Sequence, residues 1–266
     1  MAQNKKKPAA KAKQTNYRPY IKGFWILFLS GLGAIILVFL LASWGVFGKL
    51  PTFEELENPE SNLATEILSS DGKTLGKFYN ENRTPVKYED LAQNLVDAVV
   101  ATEDRRFYEH SGIDMRGTAR AVAFLGSKGG ASTITQQLAK LLFSDTPSSK
   151  FERVLQKVKE WIIATRLESQ YTKEEIITMY LNKQDFLFQA GGIRSASKIY
   201  FDKEPIDLRP EESAIIAGML KNPRQYNPYR EISKDKSLER RNTVLALMAE
   251  TGKITEAERD SLIAMP

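Results

Sequence analysis

Three separate segments of the chain hold side chains that could carry chemistry. The first is ATEDRRFYEHSGID at 101–114, where an apolar helix face ends in Glu103 and Asp104 and is followed by arginines, aromatic residues and His110. A carboxylate in such a cluster could act as a general acid or base. The same composition is typical of the solvated end of a helix, so this segment by itself leaves both interpretations open.

The second segment, GGASTITQQLAK at 129–140, places glycines before a helix start. Backbone N–H groups and the helix dipole at such a place could bind phosphate. The Walker A spacing is absent, which argues against a nucleotide P-loop. A flexible loop followed by a helix cap is the alternative interpretation.

The third segment is QKVKE at 156–160. Lys157 and Glu160 are three residues apart and therefore share one face of a helix. A pair of this kind is most often a surface ion pair of small energetic value. None of the three segments identifies a function by itself.

The residue types of the chain exclude several classes of site. The 266 residues contain no cysteine and one histidine, His110. A disulfide framework, a thiolate nucleophile and a cysteine-based zinc or iron–sulfur centre are therefore excluded, and so is a site with several histidine ligands. Catalysis would fall to carboxylates, lysines and hydroxyls.

The positive charge of the chain is concentrated at its start. The net charge is +5, from 38 Lys and Arg and 33 Asp and Glu, and residues 1–22 hold seven of the cations and no acid. The rest has 31 basic and 33 acidic residues, a balance of −2. Residues 24–47 carry no charge, and as a helix they would extend about 36 Å, more than the ~30 Å of a hydrocarbon core. The sequence predicts a basic cytoplasmic tail at 1–23 and a transmembrane span at 24–47.

The apolar run is longer than the core of a cleaved signal peptide, about 7–15 residues, and is followed by Gly48-Lys49-Leu50-Pro51. We therefore expect an uncleaved signal anchor. The positive-inside rule then places the exported part on the extracytoplasmic side of a bacterial inner membrane, as a single-pass protein. With this topology we expect no nucleic-acid partner.

The exported part is predicted to be mainly α-helical. A juxtamembrane linker at 48–63 precedes short β-prone runs around the turn signal Ser70-Asp71-Gly72, which predict one β-hairpin. Leu91, Leu95 and Val99 predict a helix that ends near Glu103. Further helix signals are possible capping boxes at Thr133/Gln136, Thr172/Glu175 and Thr255/Glu258, apolar spacing over 152–168, a start at Pro210 and an end near Gly252.

The ordered set ATEDRRFYEHSGID, GGASTITQQLAK, QKVKE, EEIITMYLN and RRNTVL resembles the peptidoglycan glycosyltransferases, glycosyltransferase family 51. These are the chain-polymerising domains of class A penicillin-binding proteins and of their monofunctional relatives. The resemblance covers about residue 65 to the C terminus, and the glycosyltransferase domain is placed at 64–266. It implies a lysozyme-like bilobal helical fold with a membrane-proximal jaw. It also implies polymerisation of lipid II into glycan strands, with inversion and release of undecaprenyl pyrophosphate.

The resemblance also implies site residues. Glu103 matches the general base, and Glu160 matches a second glutamate that assists the leaving group. The matching substrate-binding residues are Arg106, Arg120, Ser132, Gln136, Gln137, Lys140 and Lys157. His110 is interpreted as structural. A divalent ion, Mg²⁺ or Mn²⁺, is expected by the same resemblance, with metal ligands left unassigned and no nucleotide.

Two departures from the family pattern bear on the site. Gln156 stands where the third motif usually has arginine, so that diphosphate binding either loses a charge or is compensated by Arg153. After Asn182 the family has glycine and aromatic positions that Leu187 and Gly191 occupy here. No site role is assigned in that stretch.

The expected partners are lipid II, the growing glycan strand, the bilayer and regulators of cell-wall synthesis. Bifunctional relatives continue into a transpeptidase domain, so the chain is interpreted as the N-terminal part of such an enzyme. Two alternatives stay open at this point. One is a muramidase or lytic transglycosylase, and the other is a non-catalytic scaffold that binds lipid II.

Overall fold

The computed structural model describes residues 17–48, 50–52, 65–70, 74–78, 84–124, 130, 132–143 and 147–265. It divides the chain into two compact units, Met1–Gly48 and Lys49–Pro266. Residues 49 and 53–63 of the predicted linker at 48–63, and residues 1–16 of the predicted basic tail, lie outside the described residues. The three boundaries between the four segments proposed from the sequence therefore remain predictions.

The first unit contains one long helix, α1, at Arg18–Ser43. Its length, and its mean hydropathy of 2.7 over an 18-residue window, are sufficient to cross a membrane. The helix starts before the predicted span, with Pro19 in its first turn, where proline is favoured. It ends four residues before Phe47 because Trp44 caps it and Gly45 adopts a positive φ of 77°.

The first element among the described residues of the second unit is the predicted hairpin. Strands β1 (Thr65–Leu68) and β2 (Thr74–Phe78) are antiparallel, with Thr65 opposite Phe78 and an irregularity in the register after Ile67. The predicted turn residues Asp71 and Gly72 lie outside the described residues. The remaining described elements of this unit are helical, so the mainly α fold class is confirmed.

The α-helices of the second unit follow in chain order. They are α2 (Gln93–Glu103), α3 (Met115–Ala123), α4 (Ile134–Phe143), α5 (Lys150–Gln170), α6 (Lys173–Lys183), α7 (Gly192–Phe201), α8 (Pro210–Leu220), α9 (Lys234–Glu250) and α10 (Glu256–Ile263). Short 3₁₀ turns lie at Tyr88–Asp90, Phe107–Glu109, Pro205–Asp207 and Glu231–Ser233.

Two groups of helices build the core of this unit. In one group α2 packs against α8 and α9, which also pack on each other, and in the other α4 packs against α5 and α6. Leu95 and Val99 of α2 and Leu138 of α4 are completely buried. Each such side chain contributes about 1.5–3 kcal/mol of stability by leaving water. This packing fixes the end of α2 and the start of α4, where two of the motif segments lie.

The helix starts test the capping predictions. Thr172/Glu175 and Thr255/Glu258 form complete capping boxes, and Pro210 opens α8. At α4 only half of the box forms, because Thr133 Oγ1 accepts from the Gln136 backbone N–H at 3.1 Å while the Gln136 side chain does not return to Thr133. Gln136 Nε2 instead donates to the carbonyl of Gly112 at 3.1 Å, and Thr133 Oγ1 donates to the same oxygen at 2.7 Å. The start of α4 is thus tied to the first motif.

Candidate active site

A polar cleft of about 310 Å³ lies where the end of α2, the helix α3 and the segment before α4 meet. It brings together four of the residues selected from the sequence, Glu103, Arg106, Arg120 and Ser132. The other residues that line it are Thr102, Asp104, Arg105, Asp114, Gly117, Gly130 and Thr133.

Glu103 is the last residue of α2 and is partly exposed to the cleft. Its Oε2 accepts a hydrogen bond from Gln137 Nε2 of α4 at 2.9 Å. The other end of that amide, Gln137 Oε1, accepts from the hydroxyl of Tyr180 of α6 at 3.0 Å. The carboxylate of this cleft-lining residue is therefore held between the two helix groups.

Asp104 and His110 contact each other and link the first motif to neighbouring helices. The two Asp104 oxygens lie 3.0 and 3.1 Å from His110 Nε2, and Oδ2 also accepts from the backbone N–H of Ile134 at 3.1 Å. A negatively charged acceptor at the first turn of α4 satisfies a free N–H group, and the helix dipole stabilises its charge. The backbone carbonyl of His110 accepts from Lys173 Nζ at 2.7 Å. These contacts connect the first motif to α4 and α6, as a structural role for His110 requires.

Arg106 is joined to Asp114 across the cleft wall. Its NH2 donates to Asp114 Oδ2 at 2.5 Å and its Nε to Oδ1 at 3.3 Å, and the backbone N–H of Gly117 also donates to Oδ1, at 3.0 Å. Burial alone would raise the pKa of Asp114, but the hydrogen bonds from Arg106 and Gly117 and the charge of Arg106 lower it below its usual value. The hydrogen bond to Asp114 likewise raises the pKa of Arg106. Arg106 is thus a fixed cation at the cleft.

Two further arginines line the cleft. Arg120 lies on α3 and is exposed. Arg105 was not selected from the sequence, and its guanidinium forms a bidentate pair with Glu250 of α9, at 2.7 and 2.9 Å. The adjacent Arg-Arg in the first motif was the available signal for Arg105. An anionic group in the cleft would therefore meet positive charge from two elements.

Lys157 connects the third motif to the cleft. Its Nζ donates to Ser132 Oγ at 3.0 Å and lies 2.6 Å from Glu160 Oε2. The Glu160 side chain is only 2% exposed, whereas 41% of the Lys157 side chain is exposed. The pair is therefore more than the surface ion pair that spacing alone suggested, because its carboxylate is buried.

The structure does not place every predicted residue on the cleft wall. Gln136 is buried and binds the Gly112 carbonyl, Gln137 binds Glu103 and Tyr180, and Lys140 is exposed on α4. The predicted substrate contacts of these three residues remain predictions. Arg153 lies exposed one turn before Gln156 on α5, as expected from spacing.

The predicted divalent ion would need oxygen or nitrogen donors that lie close together. Among the described residues, no group of three or more His, Asp or Glu side chains lies close enough together to hold a metal ion. Magnesium is commonly bound by one or two carboxylates together with substrate phosphates and water. The residues that the structure describes therefore do not form a protein-only site, and the ion remains a prediction.

Comparison with known proteins gives consistent matches. A family model described as Transglycosylase matches residues 71–249. Penicillin-binding protein 1A of Vibrio cholerae is 39% identical over 225 residues, which are 83% of this chain and 26% of that protein. Penicillin-binding protein 1F of Bacillus subtilis is 41% identical over 201 residues, 74% of this chain and 27% of that protein. The chain therefore spans about a quarter of the length of these curated relatives.

Among solved structures, the crystal structure of penicillin-binding protein 1A from Haemophilus influenzae matches 78% of this chain and 21% of that chain, with 26% identity and a TM-score of 0.43. The family model accounts for two thirds of the chain and contains all five motif segments, from the first at 101–114 to the last at 240–245. The chain belongs to the transglycosylase family.

Proposed function

We propose that this chain is a peptidoglycan glycosyltransferase that polymerises lipid II into glycan strands and releases undecaprenyl pyrophosphate. The observation that carries the proposal is the placement of Glu103 in a cleft that Arg106 and Arg120 also line. A carboxylate can accept a proton there, and the cations can stabilise a diphosphate that departs with negative charge. Membership of the transglycosylase family supports the same reaction.

The proposed reaction is a displacement at an anomeric carbon. The 4-hydroxyl of the acceptor sugar forms the new C–O bond while the bond from the donor C1 to the diphosphate oxygen breaks, and the configuration inverts. Glu103 takes the proton of the hydroxyl, and the bond electrons leave with the diphosphate. Gln137 holds the carboxylate in place through its hydrogen bond to Oε2.

On the leaving side we assign the cations and Glu160. Arg106 is fixed by Asp114, so its guanidinium is oriented before substrate arrives. Lys157 is bound to Ser132 on the cleft wall and to the buried Glu160. Glu160 thus orients the ammonium of Lys157 toward the site of the diphosphate. A contact with the diphosphate is also proposed for Arg120 and Lys140.

The location of the reaction is part of the proposal. The helix α1 is long and apolar enough to span a bilayer, and the cations of residues 1–22 favour the cytoplasmic side for the N terminus. The site then lies on the extracytoplasmic side, where lipid II is the activated donor and no nucleotide is required. The proposed partners are the bilayer, the glycan strand and regulators of cell-wall synthesis. No step of the mechanism depends on a divalent ion.

The proposal is tested with the full chain in detergent and labelled lipid II, with the products resolved by gel electrophoresis. We expect long glycan strands, and a loss of at least about 100-fold in Glu103→Gln, because general acid–base groups contribute about 10²–10⁴-fold. Glu109→Gln is the matched control, since Glu109 is an exposed carboxylate in the same motif. It should polymerise normally.

Two outcomes would contradict the polymerase. Unchanged lipid II with the wild-type chain would leave a binding scaffold, and shortening of preformed glycan would indicate a cleaving enzyme.

Topology is tested separately, since the chain has no cysteine and a single introduced one is a unique label. Lys236→Cys should react with an impermeant maleimide on intact spheroplasts, and Gln3→Cys should react only after lysis.

A further inference from the structure

The amide that holds Glu103 is itself held by a buried hydroxyl. Gln137 donates to Glu103 Oε2 at 2.9 Å and accepts at Oε1 from Tyr180 at 3.0 Å. We infer that Tyr180 is a positioning residue for Glu103, because its hydroxyl fixes the amide of Gln137 with N–H, not C=O, toward the carboxylate. The inference deepens the proposed function and rests on it, since the positioned carboxylate is the proposed general base.

The orientation of the Gln137 amide is the point at which the hydroxyl acts. The two ends of a side-chain amide have nearly the same shape but opposite hydrogen-bonding capacity. A rotation by 180° would place Oε1 against an oxygen of Glu103, and two acceptors would repel each other. A hydroxyl can also accept a hydrogen bond, so it must be directed as a donor to oppose that rotation. The oxygen of Tyr180 accepts from the side chain of Gln184, which leaves its proton for Gln137 Oε1.

Tyr180 is suited to be a permanent donor. Its side chain is completely buried in α6, which packs against α4. Burial, with a smaller contribution from the negative charge of Glu103, raises the pKa of Tyr180 well above its usual value, although a hydrogen bond from Gln184 opposes this. The hydroxyl therefore keeps its proton near neutral pH.

Other charged groups also surround Glu103, and their pairing limits their influence on a pH profile. Asp104 is paired with His110, Arg106 with Asp114 and Arg105 with Glu250 of α9. Arg120 of α3 lines the same cleft. Each of these groups is unchanged when only the Tyr180 hydroxyl is removed, so a change in the profile reports on the connection through Gln137.

The test is the pH dependence of lipid II polymerisation by the full chain. In Tyr180→Phe the ring remains and the donor is lost, so the hydrogen bond to the ionised carboxylate weakens. Loss of a hydrogen bond to the charged form makes a carboxylate hold its proton more tightly. We expect the acid limb of kcat/KM to move up by less than the ~1 pH unit that corresponds to one complete net hydrogen bond, because the bond from Gln137 is weakened and not removed.

Two further variants distinguish positioning from a general structural effect. Tyr200→Phe is the matched control, because Tyr200 is another buried tyrosine whose hydroxyl is hydrogen-bonded, to Phe186 O at 2.6 Å and from Asn227 at 2.7 Å. It should leave the acid limb in place. Gln137→Met should shift the limb, and adding Tyr180→Phe to it should produce no additional shift, because the hydroxyl would act only through Gln137.

A second measurement does not require activity. The titration of the Glu103 carboxyl carbon is followed by ¹³C NMR in the full chain, with Glu103→Gln for assignment. The midpoint should be higher in Tyr180→Phe than in the wild type. Coincident midpoints, or coincident acid limbs in an active chain, would overturn the inference while the polymerase proposal stands. A wild-type chain that does not polymerise lipid II would contradict the proposed function, and the titration would then decide the positioning role alone.

Discussion

The ammonium of Lys157 lies 2.6 Å from Oε2 of Glu160, a carboxylate whose side chain is only 2% exposed. A buried charge that loses its partner is costly, because the remaining group stays desolvated. Lys157 itself is 41% exposed, and solvent can replace part of its effect. Lys157 therefore has two roles. It neutralises the buried carboxylate of Glu160, and its exposed part remains accessible to a ligand.

We predict that Lys157→Met lowers the free energy of unfolding by about 1–3 kcal/mol, below the cost of breaking a completely buried pair. Urea unfolding of the full chain in detergent measures the change. Lys159→Met, two residues away on the same helix, is the control and should stay within about 0.5 kcal/mol of the wild type. The double variant Lys157→Met/Glu160→Gln should regain most of the stability without regaining polymerisation. If the double variant is less stable than Lys157→Met alone, the argument from buried charge is wrong.

The Arg106–Asp114 pair predicts a pH dependence of stability. The folded-state pKa of Asp114 lies below its usual value of 3.8, since the hydrogen bonds from Arg106 and Gly117 outweigh the effect of burial. The ionised group therefore stabilises the fold above about pH 3.8, and this contribution is lost as the pH falls through the lowered pKa.

Asp114→Asn should accordingly be less stable than the wild type at pH 6 by about 1.5–3 kcal/mol, the range for hydrogen bonds to a charged group. The difference between the two proteins should narrow as the pH falls below 3.8. Urea midpoints measured from pH 6 to pH 3 provide the test. Glu239→Gln, an exposed carboxylate of α9, should run parallel to the wild type. A difference that does not change with pH would show that shape, not charge, determines the effect.

Gly112 of the first motif lies against the backbone of α5 at Ala164. Its φ is +84°, and a Cβ added there would lie 2.9 Å from both the carbonyl carbon and the oxygen of Ala164. Gly112→Ala combines a left-handed backbone with a contact against rigid backbone, so we expect a loss of about 2–4 kcal/mol. Gly130→Ala is the matched control, since a Cβ there meets nothing within 4 Å. Circular dichroism melts of the two variants make the comparison, and equal melting temperatures would contradict it.

The fold was predictable where side-chain spacing determines it. The period of Leu91, Leu95 and Val99 predicted α2 up to Glu103, and two of three capping boxes are complete. The helix α3 was missed, and among its described residues only Gly117 is buried, so no stripe of large core-facing side chains marks it. The helix α7 was also missed, although Ile193, Ala196 and Tyr200 are buried at helical spacing and could have indicated it.

The candidate site was predictable in its residue types and less so in its contacts. The resemblance to the family selected Glu103, Arg106, Arg120 and Ser132, which the fold brings to one cleft. Sequence spacing could not show that Gln136 turns to the Gly112 carbonyl, because that contact joins residues 24 positions apart. The hydrogen bond from the hydroxyl of Tyr180 to Gln137 could not be predicted for the same reason, since the two residues are 43 positions apart. Tertiary packing determines such contacts.

The loop after α6 holds three consecutive residues in the left-handed region, Leu187, Phe188 and Gln189, with φ of 66°, 51° and 62°. This is the stretch in which Leu187 occupies a position that is glycine in the resembling family. A left-handed conformation costs a residue with a Cβ roughly 1–2 kcal/mol, whereas glycine adopts it freely. These side chains therefore keep a conformational strain that glycine at the same backbone conformation would avoid.

Gln189 is the best position for relieving this strain, since its side chain is exposed. We predict that Gln189→Gly raises the free energy of unfolding by about 0.5–1 kcal/mol, because the relief of strain exceeds the entropy that glycine adds to the unfolded chain. Arg224→Gly is the control, as Arg224 is exposed in a turn without a positive φ. It should lose about 0.5–1 kcal/mol from chain entropy alone. Urea unfolding measures the change in the free energy of unfolding for both variants. The two changes should have opposite signs if the left-handed conformation is responsible, and two losses of stability of similar size would show that it is not.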